Sequence, residues 1–274
     1  MLTACQIFLC FLSYSFLGWC CESVYCSIGQ GRLINRGFLN GPLCPVYGFG
    51  ALLVIFLLDG AEGNAAALFL AGMAATSLLE YLTSWLLEKL FHMKWWDYSH
   101  YHFQINGRVC LLNSLMFGGL SVILMLGVRP RVNGLVGKLS PMAAALLTGL
   151  FAGVLLTDTF VTARDLLRMK GYLDEFSVRL ADLHQRGDEQ LAKLQQALGG
   201  HKEEFAARRE ALENDWKKAA AELSARLDGE PAGRRWRQRR IFAAFPDLKA
   251  QSGELTGHLK KHFAHTGRKG GSHD

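Results

Sequence analysis

Long apolar runs, each followed by a short polar segment, dominate the first 163 residues. Five of these runs cover residues 2–25, 42–58, 65–90, 109–128 and 141–162. A helix needs about 20 mostly apolar residues to cross the hydrocarbon core of a bilayer. The second run is short by this measure and the third is long. The pattern predicts an all-α, polytopic membrane protein with about five transmembrane helices, and it argues against a soluble enzyme.

A different pattern begins at residue 164. Apolar residues recur at steps of three and four among good helix formers, which is typical of amphipathic helices. We expect a cytoplasmic helical hairpin, or coiled coil, with its turn at Gly199-Gly200. The same helices could instead pair between two copies of the chain, which would give a homo-oligomer. The apolar residues are Leu173, Phe176, Leu180, Leu183, Leu191, Leu194 and Leu198 before the turn, and Leu212, Trp216, Ala219 and Leu223 after it.

The charges divide the chain at the same point. Of its 30 Lys/Arg and 24 Asp/Glu, 22 and 17 lie in residues 164–274. We therefore predict three parts: a transmembrane domain (1–163), a cytoplasmic helical hairpin or coiled coil (164–230), and a basic, partly disordered tail (231–274). The Gly- and Lys-rich stretch 266–274 is the part expected to be disordered.

The loop charges predict an orientation, because Lys and Arg accumulate in short cytoplasmic loops. With five spans, more of these charges lie inside if the N-terminus is outside and the tail is cytoplasmic. The loop predicted after the fourth span fits this orientation badly, since it would place Arg129, Arg131 and Lys138 outside.

Ionisable groups within the spans are costly and mark either function or tight pairing. The third span carries polar residues at helical spacing, so they share one face. Two interpretations compete. One is a ligand or translocation site formed by Glu22, Glu80 and Arg108, and the other is a satisfied polar cluster that fixes helix packing. The predicted intramembrane cluster comprises Glu22, Glu80, Ser84, Glu88 and Arg108.

Two segments between spans are unusual. Prolines and glycines interrupt helical structure ahead of the second span. This suggests either a re-entrant or pore-lining turn or a plain loop. Its candidate residues are Asn40, Gly41, Pro42, Pro45 and Tyr47. The segment after the third span is aromatic, which is typical of the headgroup region of a bilayer. Its candidate interface residues are Trp95, Trp96, Asp97 and Tyr98.

No metal site and no cofactor are predicted. Three histidines, His92, His100 and His102, lie in the aromatic segment, but their spacing matches no standard metal motif. All seven cysteines fall within residues 1–110 without a CxxC pair. We interpret them as small apolar residues rather than as a disulfide framework.

Four segments resemble a known family in their order and spacing. They are residues 37–48 (GFLNGPLCPVYG), Glu80-Tyr81 with Thr83-Ser84, residues 95–99 (WWDYS) and residues 106–111 (NGRVCL). They resemble the bacterial membrane family described as "putative ABC-transporter type IV", over roughly residues 5–165. Residues 239–246 (RRIFAAFP) are similar to a basic tail motif that many members carry.

The resemblance implies a multi-pass protein of the bacterial plasma membrane, a permease-like subunit that moves an unknown solute. The chain has no G-x-x-x-x-G-K-[ST] loop, so the ATPase would be a separate chain. No pairing of nucleophile and base predicts an enzyme. The alternative is a non-transporting membrane scaffold or sensor whose patterned cytoplasmic tail recruits partners.

The basic tail predicts a lipid-surface contact in addition to the spans themselves. Its cations would bind anionic headgroups, with Trp236 and Phe242 inserting into the bilayer. Nucleic acid would suit the charge, but no nucleic-acid-binding fold or repeated aromatic platform supports it. The predicted lipid-surface residues are Arg234, Arg235, Trp236, Arg237, Arg239 and Arg240.

Overall fold

A computed structural model describes residues 2–31, 33–198, 202–245 and 248–250. The Gly199-Gly200 turn and the stretch predicted to be disordered lie outside these residues. The described chain forms two compact units. The membrane unit comprises Met1–Arg164 and Arg240–Leu248, and the tail unit comprises Asp165–Arg239 and Lys249–Asp274.

Helices make up about four fifths of the described chain, which confirms the all-α prediction. The helices are α1 (Ala4–Gln30), α2 (Pro45–Leu58), α3 (Ala65–Phe91), α4 (Leu111–Ile123), a π-helical segment (Leu124–Val128), α5 (Arg129–Gly137), α6 (Pro141–Leu198), α7 (Lys202–Asp228) and α8 (Ala232–Ala244). The described residues also contain four two-residue strands: β1 (Met93–Lys94), β2 (Gln104–Ile105), β3 (Val109–Cys110) and β4 (Lys249–Ala250). Strands β2 and β3 are antiparallel, with Gln104 opposite Cys110.

Four helical stretches are long and apolar enough to cross a membrane: Ala4–Ile28, Ala65–Phe91, Leu111–Gly137 and Pro141–Arg179. The second predicted span is α2, an apolar helix of 14 residues. At a rise of about 1.5 Å per residue it is roughly 21 Å long, shorter than the hydrocarbon core. The chain is thus a polytopic membrane protein with four long apolar helices and one short apolar helix, α2.

Contacts define two ends of the membrane unit. At the N-terminal end, Gln6 Nε2 donates to the Val136 carbonyl (3.4 Å), and Thr148 Oγ1 donates to the Cys5 carbonyl (3.2 Å). Arg129 pairs with Asp59 and Glu62 at this same end. The loop of residues 33–44 and the segment 92–110 lie at the opposite end, which we call the loop end. Because α2 begins after this loop and ends at Asp59, it runs between the two ends like the longer helices.

The fourth span differs from its predicted form. Arg129 and Arg131 were expected in a loop, but the helix continues through them to Gly137. A proline inside a helix lacks an amide donor and normally breaks the ladder of hydrogen bonds. Here the π-helical segment immediately precedes Arg129 and Pro130, and its wider turn changes the hydrogen-bond pattern at the proline. The chain therefore stays helical where the sequence suggested an end.

Small residues let the helices approach closely. A Cβ on Gly48 of α2 would lie 2.2 Å from Ser15 Oγ of α1, and a Cβ on Gly72 of α3 would lie 2.3 Å from Ser121 Cβ of α4. Ser77 Oγ of α3 also donates to Ser114 Oγ of α4 at 2.7 Å. Close backbone approach and interhelical hydrogen bonds are what hold helices together in lipid, where apolar burial gives little driving force.

The tail unit contains the C-terminal part of α6 together with α7 and most of α8. Leu173 and Phe176 on α6 and Leu223 and Leu227 on α7 are buried. Arg226 of α7 pairs with Glu175 of α6 at 2.7 Å. The sequence did not predict that the fifth span and the first tail helix form the single helix α6. Both ranges favour helix, and neither Gly nor Pro interrupts residues 154–170.

Candidate membrane-embedded polar site

Asp158 of α6 holds the irregular loop at the loop end. Its Oδ1 accepts hydrogen bonds from the Asn40 amide (3.0 Å), Asn40 Nδ2 (2.9 Å) and Thr162 Oγ1 (3.2 Å). Its Oδ2 accepts from the Gly41 amide at 2.7 Å. Both carboxylate oxygens of Asp158 therefore accept hydrogen bonds. The backbone amides of Asn40 and Gly41, which lie outside any helix, gain a partner in this way. This arrangement, the Asp158 clamp, accounts for two of the predicted loop residues, Asn40 and Gly41.

The other three predicted loop residues have separate positions. Pro42 is exposed, and Pro45 is the first residue of α2, where its missing amide hydrogen costs nothing. Tyr47, two residues after Pro45, packs against Gly18 of α1. A Cβ added to Gly18 would lie 2.3 Å from the Tyr47 side chain. The loop therefore ends in a proline-initiated helix that carries Tyr47 into the bundle.

Glu22 of α1 pairs with Arg36 of the loop. Arg36 Nε donates to Glu22 Oε1 at 3.0 Å, and Cys44 Sγ lies 3.7 Å from Glu22 Oε2. Burial, and then the nearby Glu22 carboxylate, raise the pKa of the Cys44 thiol well above its usual value. The thiol therefore stays neutral and donates to the carboxylate. The sequence pointed to Arg108 as a partner in this site, but Arg36 is the cation that Glu22 contacts.

Glu80 of α3 faces a second polar group. Tyr98 Oη donates to Glu80 Oε1 at 3.3 Å, and Asn113 Nδ2 of α4 donates to Tyr98 Oη at 2.5 Å. Burial, reinforced by Glu80, raises the pKa of Tyr98 well above its usual value, so its hydroxyl keeps its proton. Glu80 Oε2 is buried and has no hydrogen-bond partner among the described residues. Glu80 thus has an unused acceptor inside the protein.

The Glu22 and Glu80 groups meet at Tyr47. This tyrosine lies within electrostatic range of Glu22, Cys44, Tyr98 and Glu80. We call this set of five, with Arg36, the polar site. It draws on α1, the loop, α2, α3 and the segment after α3, so it lies between elements far apart in sequence.

The remaining predicted cluster residues lie apart from these two carboxylates. Arg108 Nη2 donates to Glu88 Oε2 at 2.7 Å, and the Arg108 guanidinium lies 5.4 Å from the centre of the Tyr81 ring. Glu88 is 40% exposed in this pair. Ser84 is buried, and its Oγ has no partner in the described part of the chain. The predicted cluster is thus divided into a Glu22 group, a Glu80 group and a more exposed Glu88–Arg108 pair.

The aromatic segment does not place all its predicted interface residues at a surface. Trp95 is 1% exposed and packs with Phe38, Phe91 and Phe245 at ring distances of 5.4, 6.2 and 4.9 Å. Trp96 Nε1 donates to the Arg108 carbonyl, and Asp97 pairs with Lys94. The large exposed residues of this segment are instead Tyr101, Phe103 and Ile105. Which aromatic side chains of the segment turn inward depends on their packing partners, which composition alone does not reveal.

The basic stretch is also divided by the structure. Within the tail unit, Arg234 and Arg237 both pair with Asp165, at 2.9 and 2.5 Å. Arg235 and Arg239 are half-buried, and Trp236 is exposed. Arg240, in the membrane unit, is 8% exposed, and Phe242 is buried as well. Arg240 and Phe242 therefore face the protein interior rather than a lipid surface.

The sequence did not assign Arg36, Cys44 or Asp158 to a site, and it predicted Tyr98 at the membrane interface rather than beside Glu80. A carboxylate on an apolar helix and a Gly-rich loop with unpaired amides are complementary, and this signal was present in the sequence. Nothing in the sequence specified that Tyr98 would turn toward Glu80. Within the described ranges, no group of three or more His, Cys, Asp or Glu side chains is placed to hold a metal ion.

Comparison with known families now identifies the chain. The model of the family described as "Putative ABC-transporter type IV" matches residues 9–163, which is more than half of the chain. The chain belongs to this family. No curated protein and no solved structure matches it. The matched range ends next to Arg164, where the first stretch of the membrane unit ends, and it contains the polar site and the Asp158 clamp.

Proposed function

We propose that this chain is the membrane subunit of a transport system, passes a small solute through the polar site, and works with a separate ATPase chain. The observation that carries the proposal is Glu80 Oε2, a buried acceptor without a partner. A buried polar group that only fixes packing would be expected to be satisfied. An unpaired one is expensive and is a candidate contact for a passing ligand or proton.

The neighbouring groups suit this role. Glu22 is neutralised by Arg36, whereas the side chains that act on the Glu80 carboxyl through hydrogen bonds, Tyr98 and Asn113, are both neutral. A solute with a hydrogen-bond donor, or a cation, would complete the contacts of Glu80. Family membership supports transport as the general activity.

We further propose that the N-terminus is outside and the tail is cytoplasmic, in a bacterial plasma membrane. Arg129 was the charge that fitted this orientation worst. It pairs with both Asp59 and Glu62, but the bias counts Lys and Arg rather than net charge, so the proposal is supported by the remaining loop charges and the basic tail. Trp236, with Arg235 and Arg239, is the part of the basic stretch left available for anionic headgroups.

A second candidate function, a scaffold or sensor, is favoured by one observation. The tail forms a compact unit of its own, with buried residues and ion pairs between α6 and α7. A permease with a separate ATPase does not require such a unit. In this role the tail unit would recruit a soluble protein.

Purification of the full-length chain in mild detergent, with mass spectrometry of what co-purifies, separates the two functions. Transport predicts an ATPase in stoichiometric amount, and a non-ATPase partner instead would favour the scaffold. The recovered complex, reconstituted in liposomes, then provides the site test. We expect Glu80→Gln to change ATP hydrolysis several-fold, while the control Glu88→Gln leaves it unchanged, since Glu88 lies outside the polar site. Equal rates of ATP hydrolysis for the unmodified chain, Glu80→Gln and Glu88→Gln would overturn the assignment to Glu80.

A further inference from the structure

Arg240 binds the backbone of the irregular loop. Its Nη1 donates to the Gly37 carbonyl and its Nη2 donates to the Phe38 carbonyl, each at 3.0 Å. The two bonds use the fork of the guanidinium against two consecutive carbonyls, a geometry that lysine cannot reproduce. All three residues belong to the membrane unit, although about 200 residues of sequence separate Arg240 from the loop.

The loop binds the same segment in return. Arg36 Nη1 donates to the Ala244 carbonyl, and the Arg36 guanidinium lies 4.5 Å from the centre of the Phe245 ring. Phe245 then meets Trp95 edge to face at 4.9 Å. An arginine over a ring and an edge-to-face aromatic pair are both attractive contacts. Phe245 is thus enclosed by one cation and one indole.

We propose that the loop end is a peptide-binding site whose ligand is the chain's own segment 240–245, which we call the strap. The strap binds reversibly, beside the Glu22–Arg36 pair. The site comprises Arg36, the carbonyls of Gly37 and Phe38, and the ring of Trp95. It selects a peptide with an arginine followed five residues later by a phenylalanine. This inference does not depend on the transport hypothesis, since it concerns which segment covers the loop.

The chain connectivity makes reversible binding feasible. Residues 165–239 form a separate compact unit, so the strap rejoins the membrane unit only after 75 residues that belong elsewhere. Its contacts with the loop are hydrogen bonds and ring contacts, not covalent links. Release would therefore need no unfolding of α1 to α5, which lie wholly within the membrane unit, as expected for a local opening.

The fit of the strap is also incomplete. Burial lowers the pKa of Arg240, and the Asp158 carboxylate opposes this shift without lying within ion-pair distance of the guanidinium. Arg240 Nε and Trp95 Nε1 are both buried without a partner in the described part of the chain. Unpaired buried donors oppose burial. The strap therefore makes specific contacts but also buries unpaired donors, which costs free energy. This combination favours an exchangeable ligand over a permanent part of the core.

Cys44 reports on the strap without any engineered label. It is 4% exposed, its Sγ lies 3.5 Å from the Arg36 carbonyl oxygen, and Arg240 is within electrostatic range of it. Its raised pKa and its burial both slow alkylation, because the thiolate is the reactive form. Loss of the strap should expose Cys44 to a maleimide. Cys10, which is 2% exposed at the N-terminal end, reports on global unfolding.

The test measures maleimide labelling of each cysteine in the full-length chain in membranes, by peptide mass spectrometry. We expect Arg240→Ala and Phe245→Ala to speed labelling of Cys44 about tenfold or more and to leave Cys10 protected. The matched controls are Arg235→Ala and Trp236→Ala, on the same helix, which should leave Cys44 as slow as in the unmodified chain. Unchanged Cys44 labelling with Cys10 protected would overturn the proposal.

Amide hydrogen exchange of the unmodified chain covers the case in which a variant unfolds. The proposal predicts that residues 33–44 and 240–245 exchange together, and faster than the buried part of α1 around Cys10. Exchange of the two segments at unrelated rates, or only with global unfolding, would contradict reversible binding.

Discussion

Asp158 and Glu80 are both carboxylates within apolar helices, yet their surroundings differ. Asp158 accepts four hydrogen bonds, two of them from backbone amides of the loop. Glu80 accepts one from Tyr98, and its other oxygen is buried and unpartnered among the described residues. The comparison shows that charge within a span does not by itself distinguish structure from function. Under the proposed function the number of satisfied acceptors makes this distinction, because a saturated carboxylate has nothing left to bind.

The largest effect is expected from Asp158→Ala. The substitution leaves the backbone amides of Asn40 and Gly41 without their acceptor and removes one of the two acceptors of Asn40 Nδ2. Each orphaned group costs free energy. We expect a loss of about 3 kcal/mol or more in the free energy of unfolding. Thermal unfolding of the purified chain, followed by helical circular dichroism, measures it. A loss below about 1 kcal/mol would show that the loop does not depend on this clamp.

A smaller loss is expected from Asn40→Ala. Asn40 Nδ2 donates to both Asp158 Oδ1 and Thr162 Oγ1, whereas the Asn40 amide keeps its bond to Asp158 in the variant. We expect a loss of about 1–2 kcal/mol, because the backbone part of the clamp survives. The same unfolding assay applies. A loss as large as that of Asp158→Ala would mean that the side chain, not the backbone amides, carries the clamp.

Arg129→Gln provides a reference at the opposite, N-terminal end. Arg129 pairs with Asp59 and Glu62, which are 66% and 40% exposed, so water screens these pairs. Exposed ion pairs add little, and we expect the midpoint of thermal unfolding to fall by no more than about 2 °C. A drop that equals that of Asp158→Ala would remove the contrast between buried and exposed charge.

The sequence predicted the membrane fold well, because the spans depend on local composition. Runs of apolar residues sufficed for α1, α3 and α6, and the short second run became the short helix α2. The end of the fourth span was wrong, since Arg129 and Pro130 read as a boundary and a π-helical segment precedes them instead. Whether a proline ends or merely distorts a helix depends on the hydrogen bonds around it, which no local pattern encodes.

The polar site could be predicted only in part. Its carboxylates stood out because charge is rare in spans, but their partners come from distant segments. Arg36 joins Glu22, Tyr98 joins Glu80, and Arg108 joins Glu88 rather than the deeper carboxylates. The inward direction of Trp95 and Arg240 likewise depends on tertiary packing. Arginine and tryptophan are amphipathic, so their composition fits a lipid interface and a polar core equally.

The thermal unfolding midpoint of Glu80→Gln tests the central claim, that Glu80 is retained for function and not for packing. Glutamine has nearly the same shape and can still accept the bond from Tyr98, so we predict a midpoint within about 2 °C of the unmodified chain. A fall comparable to that of Asp158→Ala would contradict the account, because Glu80 would then be a structural group like Asp158.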